Sequence, residues 1–283
     1  CTGRDETVAK SFEAAYPGMT VNFYDLGINE MLEKFSREYE AGIHTADVLQ
    51  PKEQSGSIFM DYIQEGLLHN YHPEDLFGNV DPSYLTVTPF VIELDWWNYN
   101  TEIYSELPIT SWWDLTKPEW NGKLMINNLL TNHDYIAQFA AFVEFADEFE
   151  ADYEREFGEK ITYTNPMGKQ NAAYELVYRL LSNDVVFTQS SDEAVEAVGA
   201  DGVTEVKMAW GPSSKIRNNV NKGWHLHALN MTPKVGVPKP NFLYIVDSCE
   251  HPNAAKLLER YLEGGDDGQS RGTEHFNTLG GWY

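Results

Sequence analysis

The chain has 283 residues, 42% of them hydrophobic, with 20 basic side chains against 44 acidic ones and a formal net charge of −24. That length can bury a large core in one big domain or two lobes. The acidic balance argues against nucleic acid, whose phosphates demand a basic face, and any anionic ligand must be held by local donors against an unfavourable global field. No run of apolar residues is long enough to span a membrane.

The opening stretch "CTGRDET" reads as a polar turn at Thr2–Arg4 leading into a helix over 5–16, with Val8, Phe12, Ala15 and Tyr16 at helical spacing. A helix start with a glycine and an arginine beside it is a ready anion site, although an ordinary capped helix explains the same residues. Next come a strand in "MTVNFYDLG", a helix in "NEMLEKFSREYEAG", a short buried strand in "ADVLQP" and a helix in "GSIFMDYIQEGLL" closed by Gly66. This alternation predicts a mostly parallel sheet covered by helices.

Residues 87–99 are β-prone over more than a typical strand length, which suits a strand leaving one sheet for another. A short helix follows in "SWWDL", then a strand in "GKLMIN" and a long amphipathic helix over 131–158. "KQNAAYELVYRLLSN" and "SDEAVEAVG" are further helices, the latter opened by Ser191, and "VVFTQ" and "VKMAW" are strands. The end returns to the first style, with a strand in "NFLYIVDS" and a helix in "HPNAAKLLERYLEGG". Residues 1–90 and 241–270 are therefore expected to share one lobe and 91–240 to form the other. Crossings fall near 87–99 and 232–240, and 271–283 form a C-terminal tail.

Five pieces, in order, resemble bacterial extracellular solute-binding proteins of ABC importers. They are "SFEAAYPGMTVNFYDLG", "TADVLQ", "EGLLHNYHPED", "LPITSWWDLTKPEWNGKLMI" and "EHPNAAKLLERYLEGGDDGQ", the fourth being closest to the ferric-iron and phosphonate branch. The resemblance implies a two-lobed α/β, type 2 periplasmic-binding-protein architecture, with mostly parallel sheets and a ligand cleft between lobes. It further implies an extracytoplasmic monomer without cofactor or catalysis, partnered by a membrane permease. The family's first strand is expected to precede Thr2. The tyrosine pair of iron-binding members is replaced by Trp210-Gly211-Pro212-Ser213-Ser214-Lys215, which counts against ferric iron, while a ferric-iron carrier of the same fold, using scattered tyrosines and an anion, stays the alternative.

In such folds ligands meet the loops at strand-to-helix junctions. The candidate ligand-binding residues are Thr2, Gly3, Arg4 and Gln50 in the first lobe. In the second they are Asn127, Asn128, Thr131, Asn132, Gln189, Ser190, Trp210, Ser213, Ser214 and Lys215. Each amide or hydroxyl is equally suited to capping a helix. Together they form a set rich in donors, which fits a phosphate ester, phosphonate or carboxylate. His225 and His227 alternate along one strand, but no zinc motif is present and no metal site is assigned. Cys1 and Cys249 leave pairing, lipidation of Cys1 and free thiols all open. No nucleophile elbow or phosphate loop occurs; a hydrolase using an acidic pair is the alternative from another class.

Overall fold

The computed structural model describes residues 2–87, 89–106, 109–130 and 133–263. They fall into two compact units, one built from residues up to Glu93 and from Lys239 onward, the other from Leu94–Pro238.

In the first unit, α1 (Thr2–Ala15) and α2 (Ile28–Glu40) precede β1 (Val48–Leu49), a π-helical turn at Phe59–Ile63, β2 (Leu68–His69) and α3 (Glu74–Phe77). The far end of the chain supplies β9 (Tyr244–Val246) and α9 (Pro252–Glu263). β9 lies between β1 and β2 and runs antiparallel to both, pairing Val48 with Ile245 and Leu68 with Val246. This explains the unbroken apolar run "FLYIV". Phe242, Tyr244 and Val246 pack with Phe35, Ile58 and Leu68, whereas Leu243 packs with Val8 and Leu262. A strand covered on both faces alternates between two apolar layers instead of between core and water.

Three expectations need correction here. The first unit's sheet is antiparallel throughout, because a strand from the chain's other end separates β1 from β2. Residues 19–27 form no strand, and Phe23 and Tyr24 are exposed; alternation alone does not make a strand without a ladder partner. The polar turn at Thr2–Arg4 is helical backbone, since α1 starts at Thr2. One internal glycine costs a helix only about 1 kcal/mol.

The second unit is built on a sheet ordered β5 (Val186–Thr188), β4 (Leu124–Asn127), β6 (Met208–Pro212), β3 (Pro89–Asn100) and β7 (Leu226–Ala228). β8 (Gly236–Phe242) also pairs with β3. The chain leaves the first unit within β3 and returns to it within β8. β4 is parallel to β5 and β6, and β3 is antiparallel to β6 and β7, so this sheet is mixed rather than mostly parallel.

The helices are α4 (His133–Ala141), α5 (Ala146–Phe157), α6 (Ala172–Leu181), α7 (Ser191–Gly199) and α8 (Asn218–Asn221). The single long helix expected over 131–158 is divided by a 3-10 turn at Phe142–Phe145. The turn sets the buried Phe142 ring 4.9 Å from Trp112 and 5.0 Å from Phe149. Trp97, Trp112, Trp113 and Trp210 are wholly buried in one aromatic core, where the rings of Trp97, Trp112 and Trp210 meet one another and Trp113 meets Tyr153 edge-on. "SWWD" is held by a capping box. The Ser111 hydroxyl accepts from Trp113 N–H and the Asp114 carboxylate accepts from the Ser111 N–H, satisfying donors a helix start leaves open.

Candidate functional site

Because β5, β4 and β6 are parallel, their carboxyl ends reach the same edge of the second unit. Asn127 at the end of β4 pairs in register with Thr188 at the end of β5, and the Asn128 N–H donates to the Thr188 carbonyl at 3.0 Å. β6 ends beside them at Pro212 and turns into a 3-10 helix, Ser213–Arg217. Carboxyl ends of neighbouring strands followed by helix starts are where open α/β sheets take ligands.

This edge gathers Asn127, Asn128, Gln189, Ser190, Ser213, Ser214 and Lys215. Asn127 is buried, and its side-chain oxygen has no hydrogen-bond partner among the described residues. A buried amide end left unmatched is uncommon, because desolvating it costs about 1–3 kcal/mol. The Asn128 carboxamide oxygen accepts from Leu130 N–H at 3.0 Å, shaping the loop. Gln189 is exposed and its N–H donates to Glu193. Ser213 and Ser214 are buried, with the Ser213 hydroxyl accepting from the Leu94 N–H at 3.2 Å.

Several assignments come out differently from their sequence reading. Ser190 caps α7, which opens at Ser191 as expected; its hydroxyl accepts from Glu193 N–H at 3.1 Å. Lys215 forms an ion pair with Asp192 in the first turn of α7 at 2.6 Å. Trp210 offers a ligand no surface: it is wholly buried, and its indole N–H donates to Gln138 at 2.8 Å. The strand that the sequence reading gave it, β6, carries it into the aromatic core. Gln50 is exposed after β1 in the first unit. Gly3 is backbone of α1, while the side chains of Thr2 and Arg4, and all of Cys1, Thr131 and Asn132, lie outside the described residues.

Sequence reading missed the support beneath this edge. Asp95, directly opposite Pro212 on β3, is buried and accepts from the Gln138 amide at 2.5 Å; Gln138 in turn accepts from Trp210. The signal was present in "VIELDWWNY", where an acid interrupts an apolar strand that must find its partner inside. His225 and His227 have different surroundings: His227 meets the Tyr99 ring edge-on, whereas His225 faces Glu102 and Asp201.

The architecture is the fold of the periplasmic substrate-binding proteins of ABC transporters. Among solved structures, iron-bound HitA from Pseudomonas aeruginosa superposes with a TM-score of 0.70 at 18% identity, over 97% of this chain and 80% of that one. AfuA from Actinobacillus pleuropneumoniae, with fructose-6-phosphate bound, gives 0.61 at 19% identity, over 99% and 80%. The apo ferric ion-binding protein A of Pasteurella haemolytica gives 0.64 at 18%, over 92% and 75%. The likeness to them is one of fold. No protein-family model matches the chain, and no curated protein matches it in sequence.

Proposed function

We propose that this chain is a non-catalytic solute-binding receptor of an ABC-type importer, acting outside the cytoplasm and delivering a small anionic solute to a membrane permease. The observation that carries this reading is the shared edge of β5, β4 and β6, where amides, hydroxyls and Lys215 collect in a chain of charge −24. Donors concentrated against the global field suit a ligand with ionised oxygens, such as a phosphate ester, phosphonate or carboxylate. Among the described residues no helix is long and apolar enough to cross a membrane.

Charge-assisted hydrogen bonds are the strong ones, so Arg4→Ala and Lys215→Ala should each weaken anion binding by roughly 1.5–3 kcal/mol. Ser214→Ala should cost less. Calorimetry on the parent and these variants, after a thermal-shift screen of phosphate esters, phosphonates, carboxylates and ferric salts, tests the reading. If the tightest solute is a cation or an uncharged sugar, the anion receptor is wrong. A ferric carrier is the second reading, favoured by the iron-bound relative of the same fold and opposed by the serine pair at Ser213-Ser214. Ferric salt outperforming every anion would select it. Turnover of the bound solute would replace both with a hydrolase.

A further inference from the structure

The opposite edge of the second unit, away from the strand ends described above, brings three ligating side chains together. Glu102 follows β3, Asp201 follows α7, and His225 precedes β7. One donor atom from each lies within 4.8 Å of the others. The His225 Nε2 is 3.5 Å from a Glu102 oxygen and 3.6 Å from an Asp201 oxygen. Bonds of about 2.1 Å to a tetrahedral zinc ion place neighbouring ligand atoms about 3.4 Å apart. The histidine-to-carboxylate separations therefore already match those of a shared ion.

Ordinary surface charge does not require the framework beneath this cluster. The His225 N–H donates to the Gly199 carbonyl at 2.9 Å, and the Thr101 N–H donates to the His225 carbonyl at 2.8 Å. Asn100, almost wholly buried, donates from its amide to the Val198 carbonyl at 2.9 Å and accepts from the Glu102 N–H at 2.8 Å. Thus the three ligand-bearing segments are tied to one another by main chain and one internal amide. Preorganisation of this kind removes the ordering cost that an adventitious surface cluster would bear on binding. The carboxyl-terminal end of α7 also points its partial negative charge toward this corner.

We infer that Glu102, Asp201 and His225 form a binding site for a divalent transition-metal ion of the zinc type. One imidazole with two carboxylates suits a borderline cation, leaving a fourth position for water. The site is open to solvent, since the Asp201 side chain is 81% exposed and that of Glu102 49%. It stands apart from the edge assigned to the transported solute, so its existence does not depend on what that solute is. Bound there, the ion fastens the ends of β3 and α7 to the start of β7.

The test is calorimetric titration of the untagged chain with zinc chloride in a buffer that does not chelate metal. One equivalent should bind, and His225→Ala and Asp201→Asn should each weaken it at least tenfold, with His227→Ala unchanged. Asp201 is so exposed that its variant folds as the parent does, and far-ultraviolet circular dichroism checks the others. Absence of saturable binding to the parent overturns the site, as does parent-like affinity in either His225→Ala or Asp201→Asn. Calcium should bind at least tenfold more weakly than zinc; equal affinity overturns the assignment to a borderline ion.

Discussion

Each unit buries a glutamate completely, and the two are treated in opposite ways. In the second unit Glu175 accepts from the Thr164 N–H and hydroxyl, from the Asn165 N–H and amide, and from Arg179 Nε, all at 2.6–2.9 Å. Burial alone would raise its pKa, but these donors outweigh it and hold the carboxyl at about 2. In the first unit Glu259 is equally closed to solvent, yet neither oxygen has a hydrogen-bond partner among the described residues. Burial, reinforced by the nearby Glu263 charge, pushes it up to about 9. Both are closed to solvent, but Glu259 lies deeper and has no donor to offset its burial, whereas five donors meet Glu175.

The contrast breaks most directly at Glu175. Glu175→Ala strands Arg179 and several buried donors, and should destabilise the second unit by about 3–5 kcal/mol. Urea denaturation measures it, and a loss below about 1 kcal/mol would mean the donors find other partners. In the parent this contribution should persist to low pH. The unfolded carboxyl protonates near 4.5 and the folded one only near 2, so stability falls as pH drops across that interval.

Glu259 supplies the opposite sign. Its unfolded carboxyl ionises above 4.5 while the folded one stays protonated until about 9, so stability declines as pH rises between those values. Glu259→Gln keeps the shape and removes the ionisation. It should stabilise the first unit by up to about 5 kcal/mol at pH 8 and by nothing at pH 4. Differential scanning calorimetry at the two pH values tests this; a variant less stable at pH 8 would show that the charge has a partner after all.

The smallest effect belongs to an exposed pair. Asp192 is largely in solvent and holds Lys215 at the site edge. Asp192→Asn should change stability by less than about 1 kcal/mol. Under the anion reading it should tighten ligand binding by releasing the lysine, which calorimetry with the best anion from the screen would register. Weaker binding would count against Lys215 as a ligand group.

How much of this was readable beforehand follows from sequence distance. β3 was legible as an overlong β-prone run, and α9 from Pro252 at its start and its apolar spacing. The antiparallel first sheet was not, because β9 enters from nearly 200 residues beyond β1 and local rhythm cannot report a strand inserted from so far away. Strand-to-loop junctions put Asn127, Ser213 and Lys215 at the shared edge of strand ends, whereas Trp210, read correctly as the end of a strand, points into the core and not toward that edge. Ser190 showed the ambiguity plainly, since a capping hydroxyl and a ligand hydroxyl look identical in one dimension. The Glu175 network was invisible because Thr164 and Asn165 lie in a segment with no periodic pattern.

The aromatic core of the second unit has a practical consequence. Seven of the eight tryptophans fall between Leu94 and Pro238. Intrinsic fluorescence is therefore a nearly private signal of that unit, whereas backbone circular dichroism sums over both. Following the two signals through one denaturation would time the unfolding of each unit separately, without attaching a label to either.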